Sequence, residues 1–585
     1  MPKVRLPLVG SFNQRGMDAD GTLTLGEDQL FKNAIFSVVN NSVTGKAAVY
    51  VEKRPGFFSD SVVAAGSAST GIIRPQSFDA NITAFGDTNS TIYYGTTSVG
   101  AITGRAVSFG ETIISTIGYV LIKSSDGTGW YYADGAKDDL TYVGDTHNGT
   151  AIIDSLDNTT GVYIGQAWAG TGVGAGARVL TVDSATQITL NVNSTADGTD
   201  ITFTKTPIAK ILDTDFVTTG NPNGAFVEMD GFLFYTDATN VRNSDLNSIT
   251  SYSSTAFKPA DMAPDNVVAI ARSKNVLLAF GTGSIQPFQN AGYATGAPIE
   301  RIAQGFSRIG AQSQMSVSTL ENDIYFVGSS NYGDIQAWRI RDFTPVKIST
   351  SFVDKILGTV NASGGTNYVS TFQVGGYPYM LITLSTAQEG ATDSLLLESG
   401  DFILLETGDT VALEGSPSST GAFSKQMVCN TELKVWSEWD ASIATFVVGQ
   451  GAGANNNILA TSRFGTAGKV YRINPASDGN VFTDDGTAYD TQIRTSRLDL
   501  GTSRRKFVSE ISLVADTQST GTVTLEASDD DYQSWKTLGT FDLTSEHKTI
   551  YRCGSHVAGR AYRLTHSDAA PFRAEALEIT YSVGR

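Results

Sequence analysis

Cysteine and histidine are nearly missing from this chain: two Cys and four His stand among 585 residues. Cys429 and Cys553 lie far apart, so neither a disulfide framework nor a zinc-ligand spacing exists, and both read as small buried hydrophobes. His147, His547, His556 and His566 would each need a Ser or Cys and an Asp to converge on it before a triad could form. No Gly-x-Ser-x-Gly elbow flags a nucleophile. Charge is scarce as well, at 17% of residues, against about 25% in ordinary globular chains. What charge there is leans acidic, with 41 Lys and Arg against 59 Asp and Glu and a net −18. Such a surface repels phosphate, which argues against nucleic-acid binding as the main activity. It does not argue against DNA moving past, because acidic or neutral walls would not grip it. No apolar run approaches the length of a membrane span. The opening residues, Met1-Pro2-Lys3-Val4-Arg5, form no apolar h-region, so no secretory signal is expected.

Glycine, by contrast, is abundant, at 60 residues. Runs of β-branched and aromatic residues recur between turn signals: Ala47-Ala48-Val49-Tyr50-Val51, Thr91-Ile92-Tyr93-Tyr94, Gly231-Phe232-Leu233-Phe234-Tyr235, Asn275-Val276-Leu277-Leu278-Ala279-Phe280 and Asp323-Ile324-Tyr325-Phe326-Val327. Each is of strand length. Asp126-Gly127, Asn223-Gly224, Asp230-Gly231 and Asp485-Gly486 supply hairpin turns. Helical periodicity is scarce; one short helix is predicted over 351–356. The fold class is therefore all-β. Strand pairs recur in stretches of about 40–50 residues, the size of a propeller blade, so the expected core is a β-propeller with inserted small β modules and a C-terminal β-sandwich-like domain.

Composition divides the chain further. Residues 1–60 hold an N-terminal segment and first strands, and 61–139 a β platform where the propeller starts. Residues 140–207, rich in Gly, Ala, Thr and Asp, form an inserted β module. Blades occupy 208–387, an acidic repeat arm 388–416, propeller closure 417–489, and a C-terminal β domain 490–585. The arm contains SLLLESGDFILLETGDTVALEG, in which Glu398, Glu406 and Glu414 recur at equal spacing. From Gln388 to Gly415 there are seven acids and no base. It reads either as a contact arm or channel loop, or as a solvated surface hairpin. From Arg504 onward ten bases nearly balance eleven acids.

Motifs that could carry chemistry fail on inspection. Asp18-Ala19-Asp20-Gly21 with Glu27 partly fits a calcium loop, but the first ligand position would be Gly16. Gly170-Thr171-Gly172-Val173-Gly174-Ala175-Gly176 opens no helix and lacks the Lys-Ser or Lys-Thr of a phosphate cradle. Ser528-Asp529-Asp530-Asp531-Tyr532-Gln533-Ser534-Trp535 resembles an Asp-box hairpin with Tyr532 in place of Gly, and Ser124-Ser125-Asp126-Gly127-Thr128-Gly129-Trp130 echoes it more weakly. Paired carboxylates are plentiful, but no spacing singles out a glycosidase pair. No enzyme, cofactor or metal is expected. Two other classes stay open: a propeller glycan hydrolase, which would gather Arg, Glu and Tyr at the propeller axis, and a receptor-binding or adhesion module.

A series of phrases in fixed order carries a resemblance. Asp28-Gln29-Leu30-Phe31-Lys32-Asn33 precedes Lys53-Arg54-Pro55-Gly56-Phe57. Asn243-Ser244-Asp245-Leu246-Asn247 and Pro264-Asp265-Asn266-Val267-Val268-Ala269 follow. Then come Gly283-Ser284-Ile285-Gln286-Pro287-Phe288, Pro298-Ile299-Glu300-Arg301-Ile302, Gly305-Phe306-Ser307-Arg308-Ile309-Gly310 and Pro345-Val346-Lys347-Ile348-Ser349-Thr350. Gly468-Lys469-Val470-Tyr471-Arg472 and Arg560-Ala561-Tyr562-Arg563-Leu564 complete the order. Together they resemble the packaged-DNA stabilisation proteins of short-tailed bacteriophages, also described as tail hub or nozzle proteins. The family's acidic residue and Trp after Gly-Ser-Ile are replaced here by Gln286-Pro287-Phe288. The resemblance implies a virion tail protein assembled in the host cytoplasm, with a propeller body in a homohexameric ring. It implies a head–tail adaptor ring above, tail fibres, tailspikes or a plug or needle as further partners, and double-stranded DNA passing without sequence-specific binding. Lys53, Arg54, Pro55 and Gly56, the family's Lys-Arg-Pro-Gly signature, are candidate subunit contacts beside Glu398, Glu406 and Glu414. Read on its residues alone, Pro55-Gly56 suits a type II turn, with either solvated charges or an intersubunit contact.

Overall fold

Alternation and turn chemistry put the chain into strands almost throughout. The computed structural model describes residues 2–584 except 10–29, 41–46, 66–68, 74–83, 88–89, 96, 104–105, 115–116, 125–129, 135–139, 217–223, 294–295, 330–332, 363–365, 386–422, 441–445, 449–457, 462–466, 474–481, 501, 531 and 558. The calcium-loop-like stretch and the acidic arm fall outside the described residues.

Seven antiparallel blades are seen among the described residues. Their inner strands are Ser69–Ile73, Ala106–Ile114, Val227–Met229, Val267–Ser273, Val317–Leu320, Thr366–Val374 and Phe446–Val448. Each touches the next, and the last touches the first, so the ring is closed. The predicted β-propeller is thus present. Blades bury both faces against their neighbours, which is why the fourth blade's second strand, Val276–Gly281, is buried at every position. Separate apolar cores fill the gaps between blades. Leu277, Phe288 and Met229 fill one, and Leu278, Phe280 and Phe326 the next. The hairpin at Asp230-Gly231 has φ of 54° and 81°, the left-handed pair that a type I′ turn needs.

The seventh blade is closed by a strand from far away. Phe57–Ala65 pairs with Ala467–Ile473, beginning Phe57↔Ile473. The ring is therefore held shut by strands more than four hundred residues apart in sequence. The second blade carries the insertion. Its strand Gly198–Lys210 pairs with Trp130–Ala133 at one end and with Leu140–Thr146 along the rest. One continuous strand thus belongs to both blade and module. The module has its own core, with Tyr142 stacked on Trp168 at 5.3 Å.

The predicted helix is present and longer than the sequence suggested, Ser351–Ala362. Val353, Leu357 and Val360 lie on one face and are buried against the fifth and sixth blades. Gly358 interrupts the apolar spacing beyond Leu357, so the sequence pattern marks only the first part of the helix.

The sixth blade does not end at its outer strand. Val435–Trp439 pairs in parallel with Leu30–Lys32, and that strand continues the sheet through Thr491–Arg494, Ala561–His566, Thr522–Ser528 and Lys536–Asp542. A second sheet, from Ala34–Asn40 through Ala47–Lys53, Arg573–Val583 and Lys506–Ala515 to Thr549–Tyr551, packs over it. Phe36, Ile511, Leu525, Leu564 and Ile579 fill the space between them. This is the C-terminal sandwich, and strands from residues 1–60 complete it. Cys429 and Cys553 are both buried and unpaired, as expected.

Candidate functional site at the propeller axis and the interdomain crossing

Four blades line a cavity of about 860 Å³ at the propeller axis. Glu111, Glu228, Arg272, Lys274, Gln314 and Glu321 supply its polar wall. Arg272, Lys274 and Gln314 are each engaged within the fold. Arg272 donates through Nη1 to the Glu228 carboxylate at 3.2 Å and the Glu228 carbonyl at 2.8 Å, and through Nε to the Lys274 carbonyl at 2.7 Å. Lys274 reaches Asp342 at 2.6 Å. Gln314 accepts from the Ile270 amide at 2.9 Å and donates to its carbonyl at 3.2 Å. No Tyr or His is among the described lining residues. The cluster of Arg, Glu and Tyr that a hydrolase would gather here is not formed by them.

The chain crosses between propeller and sandwich twice, at 53–57 and again at 482–491, and the two crossings meet in a buried knot. Arg54 is fully buried. Its guanidinium donates from Nη1 to Asp484 Oδ1 at 2.9 Å and from Nη2 to Oδ2 at 2.5 Å. Nε reaches Asn33 Oδ1 at 3.1 Å, and the plane lies 3.9 Å from the centre of the Tyr489 ring. A fork of fixed donors suits a carboxylate in a way no ammonium does. Asp484 Oδ1 also accepts from the Phe57 amide at 3.1 Å, and the Tyr489 hydroxyl donates to the Arg54 carbonyl. Asn33, held at φ 52°, bonds the Asp490 carbonyl through its side chain at 2.8 Å and the Glu438 carbonyl through its amide at 2.8 Å. Two segments remote from Arg54, one holding Asn33 and the other Asp484 and Tyr489, therefore converge on one guanidinium.

Lys53 and Gly56 complete the knot. Lys53 is buried and donates to the Tyr489 and Asp568 carbonyls at 2.8 and 2.9 Å. A Cβ on Gly56 would stand 2.1 Å from the Thr483 carbonyl oxygen. The sequence-based expectations for Lys53, Arg54, Pro55 and Gly56 are corrected here. The Lys53 and Arg54 charges are not solvated, because they are buried and satisfied inside the chain. Gly56 does not take the positive φ of a type II turn; it is there because the returning strand passes too close for a side chain. Glu398, Glu406 and Glu414 lie outside the described residues.

Burial, and then the neighbouring Arg54, push the Lys53 ammonium down from the usual lysine range to about 8. A lysine whose proton is held less tightly in the folded state than in the unfolded one weakens folding while both states are protonated. That penalty is relieved as pH rises from about 8 toward the ordinary lysine value. Urea midpoints are therefore expected to rise between pH 8 and 9.5 relative to Lys53→Met, in which this contribution to the slope vanishes. Parallel pH profiles for the two chains would show that Lys53 is not the group responsible.

The Asp-box-like stretch folds as expected into a hairpin. Asp530 accepts from the Ser534 hydroxyl, from the Ser534 amide at 3.0 Å and from the Ser528 hydroxyl at 2.8 Å, bonds that hold its carboxyl down at about 2. Tyr532 takes φ 68°, the conformation for which Gly is usual. Arg563 stacks on Trp535 at 4.4 Å. The hairpin is structural and lies in the sandwich, far from the axis in the fold order. Of the histidines, His566 is fully buried between the Thr522 and Ala570 carbonyls, and His147 pairs with Asp154 at the surface. Among the described residues no group of three or more His, Cys, Asp or Glu is placed to hold a metal ion, and no helix is long and apolar enough to cross a membrane.

Asp484, Asn33 and Tyr489 are residues that sequence reasoning missed. The one local signal was the Asp485-Gly486 turn beside Asp484.

Residues 171–388, from the Gly-rich loop of the insertion through the sixth blade's second strand, match the family model described as bacteriophage P22 Gp10, beta-propeller. No curated protein matches the chain. Among solved structures, an exo-β-1,3-galactanase from Phanerochaete chrysosporium aligns at TM-score 0.25 and 9% identity, over 63% of this chain and 98% of that one. Hsv2 from Kluyveromyces lactis aligns at 0.23 and 9%, over 62% and 98%. The PQQ-bound aldose sugar dehydrogenase from Streptomyces coelicolor aligns at 0.22 and 10%, over 58% and 98%. Likenesses this distant carry no argument about activity.

Proposed function

We propose, for a chain whose residues 171–388 match the phage DNA-stabilisation family model, that it is a structural tail hub or nozzle subunit. Several copies form a ring that closes the end of the tail channel, retains packaged DNA, and lets it pass on ejection. The family match across the blades carries this reading. Two physical features support it. A propeller closed by distant strands leaves few free edges, which suits a subunit that must stay unaggregated until it assembles. The axis cavity of about 860 Å³ is in the size range of small-molecule pockets, about 300–1,000 Å³. On this reading the DNA channel is built between copies. The head–tail adaptor, fibres, tailspikes or a plug or needle are the partners such a ring would meet, in the virion rather than free in the host cytoplasm.

Mass measurement by light scattering, with negative-stain imaging under assembly conditions, tests the reading. Rings with sixfold symmetry are expected. A chain that stays monomeric under every assembly condition and cleaves glycans would overturn it.

A further inference from the structure

One end of the sandwich departs from the acidic character of the chain. Phe507, Tyr551, Val557 and Val583 are 47%, 69%, 47% and 41% exposed there. Strand pairing holds them together: Phe507 stands opposite Ser582 and Ser555, Val583 opposite Lys506, and Tyr551 opposite Glu510. The Val557 carbonyl accepts from Lys506 Nζ at 2.8 Å. Arg504, Arg505 and Arg552 are exposed beside them, and none of the three makes an ion pair among the described residues. Arg505 donates to the Ser555 hydroxyl at 3.2 Å, and the Arg552 amide to the Ser509 carbonyl at 2.7 Å. The nearby Glu510 already accepts from the Thr580 hydroxyl at 2.9 Å.

A patch that is both basic and aromatic needs an occupant that is both acidic and apolar. Nucleic acid supplies the charge but would leave Val557 and Val583 against phosphate and sugar. The chain carries the complement on the outer face of its insertion module. Across that sheet Val143 stands opposite Thr202, Asp145 opposite Asp154, and both Ile152 and Thr181 opposite Thr189. Directly opposed residues share a face, and the module's aromatic core of Tyr142, Trp168 and Phe203 fills the other side. Thr181 and Thr189 donate to Asp183 at 2.6 and 2.7 Å, and Asp157 accepts from the Val143 amide at 3.2 Å. Val143 and Ile152, with Leu180 and Val182 on the edge strand Val179–Ser184, are each more than a third exposed. Residues 140–207 hold six acids and two strong bases, Arg178 and Lys205. Neither base offsets the face: Lys205 is buried, and Arg178 donates to the Gly165 carbonyl at 2.8 Å.

Both surfaces stand open in one chain, so neither covers the other within it. The geometry points to a second copy of the chain as the occupant: the sandwich end of one copy docks on the module face of the next, Arg504, Arg505 and Arg552 meeting Asp145, Asp157 and Asp183 while Phe507 and Tyr551 pack on Val143 and Ile152. Two different surfaces make a head-to-tail contact, the kind that closes into a ring when its rotation allows. The inference rests on the ring reading above and names the contact that builds the ring.

The test mixes the full chain carrying a benzoylphenylalanine photocrosslinker at Phe507 with a heavy-isotope-labelled chain lacking it, followed by proteolysis and mass spectrometry. The crosslinked peptide is expected to come from 140–207 and to carry the heavy label, which places the contact between copies. Its yield is expected to fall about tenfold between about 50 and about 500 mM salt, as exposed ion pairs require. R504E/R505E/R552E is expected to lower the yield at least tenfold at low salt. Adding D145K/D157K/D183K to every chain of that variant is expected to restore it, a rescue that a folding defect could not produce. Rings whose crosslinks come from any other segment, go to added duplex DNA in preference, or ignore the charge swap would overturn the inference and leave the ring reading standing. A chain that stays monomeric under every assembly condition would overturn both.

Discussion

Arg54→Ala is expected to destabilise the chain by about 3–5 kcal/mol, the cost of removing one partner from a buried pair, read as a lowered urea midpoint with unchanged slope. The magnitude follows from what is left behind. Asp484 would keep its Phe57 amide bond but lose two charge-assisted bonds, at 2.9 and 2.5 Å, inside a site with little water. Asn33 Oδ1 would lose one of its donors, and Tyr489 the cation on its face. Arg54→Lys is expected to restore less than half of the loss, since a point charge cannot bond both carboxylate oxygens and Asn33 at once. Gly56→Ala should reproduce much of the effect from the other side, by forcing Thr483 and with it Asp484 away. A loss under about 1 kcal/mol for Arg54→Ala, the range of surface ion pairs, would mean that the knot does not hold the two bodies together.

The knot also shows what could be read from residue order and what could not. Strand after strand was legible. Thr91–Tyr94, Phe232–Thr236, Val276–Gly281 and Asp323–Ser329 fall where alternation and turn residues place them. So did the hairpin at Asp230-Gly231, because the left-handed φ values demand those residue types. These features depend on neighbours within a few positions. The blade ring was legible as a repeat length and confirmed by the closed chain of inner strands, but its count of seven was not. Blade closure pairs Phe57 with Ile473, and no local pattern names a partner at that distance. The site suffered most from this. Lys53-Arg54-Pro55-Gly56 stood out through the family resemblance, and its residues alone left solvated charges and an intersubunit contact equally open. Here the carboxylate that turns the phrase inward is Asp484, which stands beside the Asp485-Gly486 turn and carried no signal of its own. Burial of an arginine is decided by a partner, and the partner was far off in sequence.

The shared sheet has a consequence for unfolding that separates this architecture from two bodies on a string. Phe57 is fully buried against Trp439, Phe372 and Ile473 in the propeller, and Leu525 is fully buried in the sandwich. Phe57→Ala is expected to cost about 3–5 kcal/mol and Leu525→Ala about 2–5 kcal/mol, as cavities left in close-packed cores. If the bodies were independent, calorimetry would show two transitions, with each substitution lowering only its own. But Val435–Trp439 and Leu30–Lys32 belong to one sheet that runs from blade to sandwich, and both crossings are locked by Arg54. The sandwich cannot melt without freeing the edge of the sixth blade, and the seventh cannot open without pulling on Arg54. Both substitutions are therefore expected to lower one common transition. Phe57→Ala combined with Arg54→Ala should fall short of the sum of the two, since the guanidinium lies 5.2 Å from the Phe57 ring and groups in contact share their losses. Two resolved transitions, with Leu525→Ala shifting one and leaving the other in place, would show that the propeller closes without help from the sandwich.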